Sequence, residues 1–209
     1  MTKKTNLEKI MGSPVTESIT TLIGTAGALT TPFAVLLPVL TNSIAGQRQQ
    51  KRIECALDEI NTELTNQKEL LKNLSDEQYF ILTESITEIF QTINKEKIKY
   101  LKRAIFNSPS MNNLDSQRAV SLSRIIRDIS AEEALFTIEN SLKYTCIHVT
   151  NNPQTDRNDT LYIPRNSPES LVVSGLESLG VLEFHLGTMG DGNILCFSSI
   201  TNDLISLLR

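Results

Sequence analysis

Apolar residues recur at helical spacing through most of this chain, but one stretch departs from that pattern because it carries no charge. Ser18–Gln47 runs for 30 residues without a Lys, Arg, Asp or Glu. At about 1.5 Å of rise per residue, a helix of this length would reach across a bilayer. Only 15 of its residues are apolar, however, and Pro32 and Pro38 would kink a helix. The pattern therefore predicts a segment that inserts into a membrane conditionally.

Small residues within this stretch have a spacing that favours close packing of membrane helices. Gly24 and Ala28 are four residues apart, as are Gly27 and Thr31. We therefore expect inserted copies to pack on one another through these four positions. The predicted membrane-inserting residues are Ile19, Leu22, Ile23, Leu29, Phe33, Val35, Leu36, Leu37, Val39, Leu40 and Ile44.

Two other interpretations of the uncharged stretch stay open. It could be a buried hairpin of a soluble helical domain, bent at Pro32. It could also be a secretory signal, although the leader before it (residues 1–17) is long and contains Glu8 and Glu17.

The next stretch, Gln49–Leu74, has apolar residues on alternating four- and three-residue steps, which is a heptad pattern. It predicts either a long helix packed on its own chain or a self-association helix beside the membrane segment. Gln67 is the one polar residue in the seam. The seam residues are Ile53, Leu57, Ile60, Leu64, Leu71 and Leu74.

Capping signals then predict further helices, separated by a linker at 107–113. These helices are Asp76 to about Thr92 (capping box Ser75 and Gln78), Lys95–Phe106 (cap Asn94), one from Asp115 through Ile129, and one to about Leu142 (capping box Ser130 and Glu133). Periodicity predicts that one face of each is buried. The predicted inward residues are Tyr79, Leu82, Ile86, Ile89, Phe90 and Ile93; Ile98, Leu101 and Ile105; and Leu122, Ile125, Ile126 and Ile129.

From Lys143 the pattern changes to short strands. Strands are predicted at 144–149, 161–163, 181–186 and 194–198, with a helix that opens at Ser167–Pro168 and ends at Gly180, and a closing helix at Thr201–Leu208. The order helix, strand, helix, hairpin, helix is that of a winged helix. The predicted fold is mainly α: an N-terminal helical bundle with an uncharged, conditionally inserting segment, followed by a small α+β winged-helix-like domain.

These elements predict four parts of the chain. They are a basic leader at 1–17, the membrane segment at 18–47, a helical domain at 48–142 and the winged-helix-like domain at 143–209, which could also begin near residue 130.

Charge is unevenly distributed between these parts. The chain has a net charge of −4, but residues 1–52 contain six Lys or Arg against two Glu, a net of +4 that leaves −8 for the remainder. A basic end around an apolar stretch suits an anionic membrane surface. A second basic cluster predicts a solvated helix face or a contact with a membrane surface or an acidic partner. That cluster is Lys95, Lys97, Lys99, Lys102 and Arg103.

The charge of the C-terminal part argues against nucleic acid as a partner. The second helix of the predicted winged helix carries only Glu169 and Glu177, and residues 130–209 contain ten Asp or Glu against four Lys or Arg. A helix that reads DNA needs cations to offset phosphate repulsion and donors to read base edges.

No arrangement typical of catalysis or of a cofactor or metal site is present, so the chain is not expected to be an enzyme. The Gly-rich turn at 187–193 lacks the Lys-Ser/Thr of a phosphate loop. His148 and His185 are isolated, and Cys55, Cys146 and Cys196 form no CxxC pair. We expect three reduced, buried thiols and no disulfide.

The C-terminal run VVSGLESLGVLEFHLGTMGDGNILCFSSITNDLISLLR (Val172–Arg209) resembles the end of the Abi-alpha family of abortive-infection proteins. The stretch NKEKIKYLKRAIFNS (Asn94–Ser108) is similar to small prophage-encoded and anti-phage proteins. An uncharged N-terminal segment is also found in ring-activated immune proteins that form pores. The resemblance implies bacterial immunity at the inner membrane and assigns no functional residue.

We therefore expect a non-enzymatic anti-phage effector that senses a phage component, oligomerises and permeabilises the inner membrane. Its expected partners are copies of itself, the inner membrane and, as trigger, an oligomeric phage structural protein. It would be cytoplasmic at rest and at the inner membrane when active, or a single-pass inner-membrane protein. The alternatives are a soluble helical adaptor with a buried apolar hairpin and, third, a winged-helix transcriptional regulator.

Overall fold

The computed structural model describes residues 44–112, 114–151, 159–188 and 192–209. Within them, a run of helices comes first: α1 (Ile44–Asn66), α2 (Lys68–Lys72), α3 (Asp76–Gln91), α4 (Lys95–Asn107), a 3₁₀ turn (Ser108–Ser110), α5 (Ser116–Asp128) and α6 (Ala131–Asn140). A mixed part follows: β1 (Cys146–Val149), β2 (Thr160–Ile163), α7 (Pro168–Ser178), β3 (Leu182–Thr188), β4 (Gly192–Phe197) and α8 (Thr201–Leu208). Taken together, the described residues are mainly helical, with a small sheet after the first run of helices, as predicted.

The predicted helix caps are confirmed. Ser75 Oγ accepts from the N–H of Gln78 at 3.2 Å, and the Gln78 side chain accepts from the N–H of Ser75 at 2.8 Å. Ser130 and Glu133 make the same reciprocal pair at the start of α6. Asn94 caps α4, and Asp115 caps α5. Each of these caps satisfies backbone N–H groups at a helix start that have no partner within the helix.

The end of α7 is also determined by residues close together in the sequence. Gly180 has φ +73°, a left-handed conformation that glycine adopts without steric cost. Its N–H donates to the carbonyl of Glu177 at 3.0 Å, and the N–H of Val181 donates to the carbonyl of Leu176 at 2.9 Å. These two bonds form a Schellman motif, which ends the helix where Gly180 was predicted to end it.

One hydrophobic core joins the helices to the sheet. The predicted inward residues of α4 and α5 are all buried. The last helix, α8, packs on α4 and α6. Side chains of α4 complete its C-terminus, since Arg103 donates to the carbonyl of Leu208 at 3.2 Å and Asn107 donates to that of Leu207 at 3.0 Å.

The predicted inward face of α3 is wrong at its C-terminal end. Leu82, Ile86 and Ile89 are buried as predicted, and Ile81 is buried as well, but the side chains of Phe90 and Ile93 are exposed. The reason is that α3 ends at Gln91, so helical periodicity no longer determines where Ile93 lies.

The predicted long helix from Gln49 is interrupted. α1 begins earlier, at Ile44, and ends at Asn66, and α2 begins at Lys68. The intervening Gln67 donates its N–H to the carbonyl of Leu64, three residues back, at 3.1 Å. The helical ladder therefore breaks at the polar residue of the seam.

The sheet has the order β2-β1-β4-β3. β1 pairs with β2 in parallel and with β4 antiparallel, and β3 and β4 form a hairpin with an irregularity between Phe184 and Leu186. The predicted strands are found with their ends shifted by one or two residues.

The cysteine prediction is wrong for Cys146 and Cys196, and for Cys55 it is right about the free thiol but wrong about its burial. Cys146 and Cys196 lie directly opposite each other on β1 and β4, with their Cα atoms 4.1 Å apart, and form a disulfide. Cys55 is free, but it is exposed rather than buried. Chain spacing gave no warning of the pair, because 50 residues separate its members and only strand register brings them together.

The predicted linker at 107–113 is packed rather than loose where it is described. Ser108 and Pro109 are buried. The Gln78 side-chain amide donates to the carbonyls of Pro109 at 3.2 Å and Met111 at 2.5 Å. The composition that suggested a linker instead forms a 3₁₀ turn held against α3.

Candidate functional site

Most of the predicted membrane segment lies outside the described residues. This applies to the inserting residues Ile19, Leu22, Ile23, Leu29, Phe33, Val35, Leu36, Leu37, Val39 and Leu40 and to the packing residues Gly24, Gly27, Ala28 and Thr31. Ile44 is the exception, since it is the first residue of α1. Among the described helices, none is both long enough and apolar enough to cross a bilayer.

The segment leads into α1, which lies beside α4 with the two helices running in the same direction. Near the start of both helices, Gln49 donates to the carbonyl of Thr92 at 2.8 Å, and Arg52 donates to that of Ile93 at 2.7 Å. Further along, Lys102 of α4 pairs with Glu59 of α1. The end of the uncharged stretch and the start of α4 are therefore at the same end of the molecule.

Between α1 and α4 lies an open groove of about 680 Å³ lined mainly by cations. The residues of each helix follow steps of three and four, which place them on one helical face. The lining contains six Lys or Arg and one Glu, a net of +5. We call this surface the basic groove; it is formed by Arg48, Lys51, Arg52, Cys55, Ala56 and Glu59 of α1 with Lys95, Ile98, Lys99 and Lys102 of α4.

Cations of the basic groove differ in how far they are neutralised. Lys102 pairs with Glu59, and Lys99 pairs with Glu96 of its own helix at 2.7 Å. In the part of the chain that the structure describes, no carboxylate lies within ion-pair distance of the other Lys or Arg of the groove. Those are Arg48, Lys51, Arg52 and Lys95. The groove is therefore most positive at the end where the uncharged stretch joins α1.

Exposed apolar side chains lie at the same end. Ile93 is 77% exposed, and Phe90, in the last turn of α3, is 38% exposed. The hydrogen bonds from Gln49 and Arg52 to the Thr92–Ile93 backbone hold this α3–α4 connection against the first turns of α1. Apolar and cationic side chains thus occur together, as they do in segments that lie at a membrane–water interface.

The predicted self-association seam is largely covered by its own chain. Ile60 and Leu64 are buried in the core, and Leu71 and Leu74 are half-buried against it. Ile53 and Leu57, near the middle of α1, are half-buried. The described packing of α1 on α3 and α4 thus accounts for part of the heptad pattern within one chain.

The predicted basic cluster on α4 is divided among three places: the groove, the interior and the end of α8. Lys95, Lys99 and Lys102 line the basic groove. Lys97 instead points into the protein, pairing with Glu88 at 2.8 Å and donating to the carbonyl of Arg127 at 2.6 Å. Arg103 bonds to the end of α8 and lies over the Tyr100 ring at 5.8 Å.

Sequence reasoning missed that Arg48, Lys51 and Arg52 join the lysines of α4 in one surface. Their three- and four-residue spacing was a usable signal for a common face of α1. The identity of the facing helix was not readable, because more than 40 residues separate Glu59 from Lys102.

Among the described residues, no group of three or more His, Cys, Asp or Glu side chains is placed so that it could hold a metal ion. His148 lies against Tyr162 with ring centroids 5.5 Å apart, and both belong to the sheet. The chain matches no protein-family model, no curated protein and no solved structure. The case for a function therefore rests on the uncharged stretch and on the basic groove that follows it.

Proposed function

We propose that this chain is a non-enzymatic effector of bacterial anti-phage defence that acts on the inner membrane. One observation carries the membrane part of the proposal. A 30-residue uncharged stretch leads directly into the basic groove, and at the junction lie the exposed Ile93 and cations that pair with no carboxylate among the described residues. Interfacial segments of proteins combine these features, because the cations meet anionic headgroups while apolar groups enter the acyl boundary.

The composition of the uncharged stretch suits insertion that depends on partners. A single copy would bring Thr hydroxyls, two prolines and only 15 apolar residues into the bilayer. Polar groups in hydrocarbon are costly unless another helix satisfies them. Packing through Gly24, Ala28, Gly27 and Thr31 would offset that cost, so insertion is coupled to assembly of several copies.

The rest of the chain would then store and release this segment. In the proposed resting state, Ile19–Ile44 would pack against the helices of residues 50–142. Oligomerisation uses Ile53 and Leu57 of α1, which are half-buried, since Ile60 and Leu64 of the same seam lie in the core. In this proposal the acidic C-terminal part, interpreted as winged-helix-like on a helical bundle, binds a phage structural protein as trigger. The anti-phage role itself rests on the resemblance to abortive-infection proteins.

Leakage of a trapped dye from phosphatidylglycerol-containing vesicles tests the proposal. Because assembly depends on concentration, we expect leakage by the full chain to rise more steeply than linearly with protein concentration. The double variant Leu36→Asp, Leu37→Asp should lose leakage, and circular dichroism checks that its helices still form. Absence of leakage at every concentration, both with and without a lysate of phage-infected cells as the source of the trigger, or equal leakage by the variant, would contradict the proposal.

A soluble adaptor is the second candidate, and the burial of the seam favours it. Ile60 is fully buried and Leu64 nearly so, which is what a helix of an ordinary soluble bundle requires. In this case the uncharged stretch is a hairpin within a soluble bundle. The leakage assay on the unmodified chain separates the two functions, because an effector permeabilises vesicles and an adaptor does not.

A further inference from the structure

We propose that the basic groove is a docking surface for the anionic headgroups of a phospholipid bilayer. The inference rests on the proposed membrane function, but it makes a separate claim about which described residues contact lipid. It assigns the contact to Arg48 and Lys51 of α1 and Lys95 of α4, with Ile93 at the apolar edge.

Like charges lie next to each other on both helices of the groove. Arg48 and Arg52 are four residues apart on α1, and Lys95 and Lys99 are four residues apart on α4. Like charges at this spacing lie next to each other on a helix and destabilise it. An anionic surface placed against the groove would replace that repulsion with attraction.

Lys95 is the first residue of α4, where the helix dipole is positive and disfavours a cation. The first turn of α1 contains no acidic residue. The start of α1 therefore adds to the positive potential of the side chains at the end where the uncharged stretch arrives, whereas Glu96 in the first turn of α4 is paired with Lys99.

The exposure of the groove cations distinguishes a bilayer from a single bound anion. The side chains of Arg48, Lys51, Lys95 and Lys99 are exposed, and the groove is open. Lysine side chains on flexible stems act as point charges, which suits a layer of headgroups more than one fixed phosphate. Exposed Ile93, whose carbonyl accepts from Arg52, has a place in the acyl boundary but none in a site for a free anion.

The test compares two triple variants of the full chain that lose the same charge. One removes groove cations (Arg48→Gln, Lys51→Gln, Lys95→Gln). The matched control removes exposed cations from the later part of the chain (Arg124→Gln, Lys143→Gln, Arg165→Gln). Binding is measured by co-sedimentation with vesicles of phosphatidylglycerol in phosphatidylcholine and with vesicles of phosphatidylcholine alone.

Each cation near an anionic surface strengthens binding about fivefold, so the groove variant should bind phosphatidylglycerol vesicles roughly a hundredfold more weakly. The control variant should bind as the unmodified chain does, because none of its three cations lines the groove. Equal loss in the two variants would overturn the proposal, since it would show a response to net charge alone.

A probe at Cys55 reports the location of the contact. Cys55 lines the groove and is exposed, whereas the other two cysteines are bonded to each other, so a thiol-reactive, environment-sensitive dye attaches at this position. Its emission should shift to the blue with phosphatidylglycerol vesicles and not with phosphatidylcholine. Vesicle binding without a shift would overturn the proposal.

Two further arms test other occupants. Inorganic phosphate, added against chloride of equal ionic strength, should not displace the vesicles; displacement would assign the groove to a free phosphate. Duplex DNA should not bind in a way that the groove variant abolishes; such binding would assign it to nucleic acid.

The failures of the two proposals are distinguishable. If the groove variant keeps full lipid binding while Leu36→Asp, Leu37→Asp loses leakage, the groove proposal fails and the membrane function stands. If the groove variant loses lipid binding but no chain causes leakage, the docking surface stands and permeabilisation fails.

Discussion

Helix α4 places lysines in two environments. On one face, Lys97 is 12% exposed and pairs with Glu88, which is 10% exposed. On the opposite side, Lys95 and Lys99 are exposed in the basic groove. Both settings come from one run of sequence, KEKIKYLKR, in which nothing marks Lys97 as different.

The contrast between Lys97 and Lys95 shows that the role of a lysine follows from what its side chain pairs with, and cannot be read from the presence of the lysine alone. A buried charge needs a close counter-ion and further hydrogen bonds, and Lys97 has both, since it also donates to the carbonyl of Arg127. An exposed cation without a carboxylate nearby contributes little to folding, so it is available to an external anion. We therefore assign Lys97 to the fold and Lys95 to the membrane contact.

The largest expected effect is at the buried pair. Lys97→Met leaves the carboxylate of Glu88 buried without its partner, so the free energy of unfolding should fall by about 3–5 kcal/mol. Adding Glu88→Leu should restore most of the loss, because the unpaired charge is then removed. Urea unfolding followed by circular dichroism measures both.

The matched control for that variant is Lys72→Met. Lys72 pairs with Glu69 at the same distance of 2.8 Å, but both side chains are mostly exposed. Its loss should stay within about 0.5 kcal/mol. A comparable loss in the two variants would remove the distinction between buried and exposed lysines.

An intermediate effect is expected at the ion pair that crosses the groove. Lys102 is 20% exposed and Glu59 is 60% exposed, so Glu59→Gln should cost about 0.2–1 kcal/mol of stability and less in high salt. The same change frees Lys102, so binding to phosphatidylglycerol vesicles should tighten. Glu63→Gln, an exposed position on the same helix, is the control and should change neither quantity.

Asp128, which lies next to Arg127, should make a smaller contribution to the free energy of unfolding, and that contribution should be lost in acid. The hydrogen bonds from the Arg127 guanidinium, and then the positive charges of Arg127, Arg124 and Lys97, hold the pKa of Asp128 below its usual 3.8, against the opposing effect of partial burial. A depressed pKa contributes stability that is present above the unfolded value and is lost as the pH falls through the folded value.

The stability difference between the unmodified chain and Asp128→Asn should therefore be constant near neutral pH and shrink below about pH 4. We expect it to stay under about 1 kcal/mol, because both side chains of the pair are substantially exposed. Urea unfolding across a pH series measures it; a difference that grows in acid would show that the sign is wrong.

The smallest effect on stability is expected at the exposed face. Lys95→Gln removes a like-charge neighbour of Lys99, so stability should stay the same or rise by up to about 0.5 kcal/mol. Binding to anionic vesicles should nevertheless weaken. Destabilisation of several kcal/mol would show that Lys95 supports the fold, and the contrast with Lys97 would fail.

Local features of this fold were readable from the sequence. The capping boxes at Ser75 and Ser130 and the end of α7 at Gly180 involve residues no more than about five positions apart, so their chemistry is visible in the chain itself. The buried faces of α4 and α5 followed from periodicity for the same reason.

Features that join distant residues could not be read in this way. The groove pairs Glu59 with Lys102, and the disulfide joins Cys146 to Cys196 across 50 residues. The parallel pairing of β1 with β2 also depends on register. For the candidate site, the uncharged stretch and two separate basic runs were therefore predictable from the sequence. Only the fold shows that the two basic runs lie side by side in one groove.

Fractionation of cells that express the chain, before and after infection with a panel of phages, tests the central claim most directly. The account predicts that the unmodified chain moves from the soluble to the membrane fraction during an infection against which it protects. Leu36→Asp, Leu37→Asp should remain soluble and should not protect. A chain that stays soluble throughout a protective infection, with equal protection by the double variant, would contradict the account.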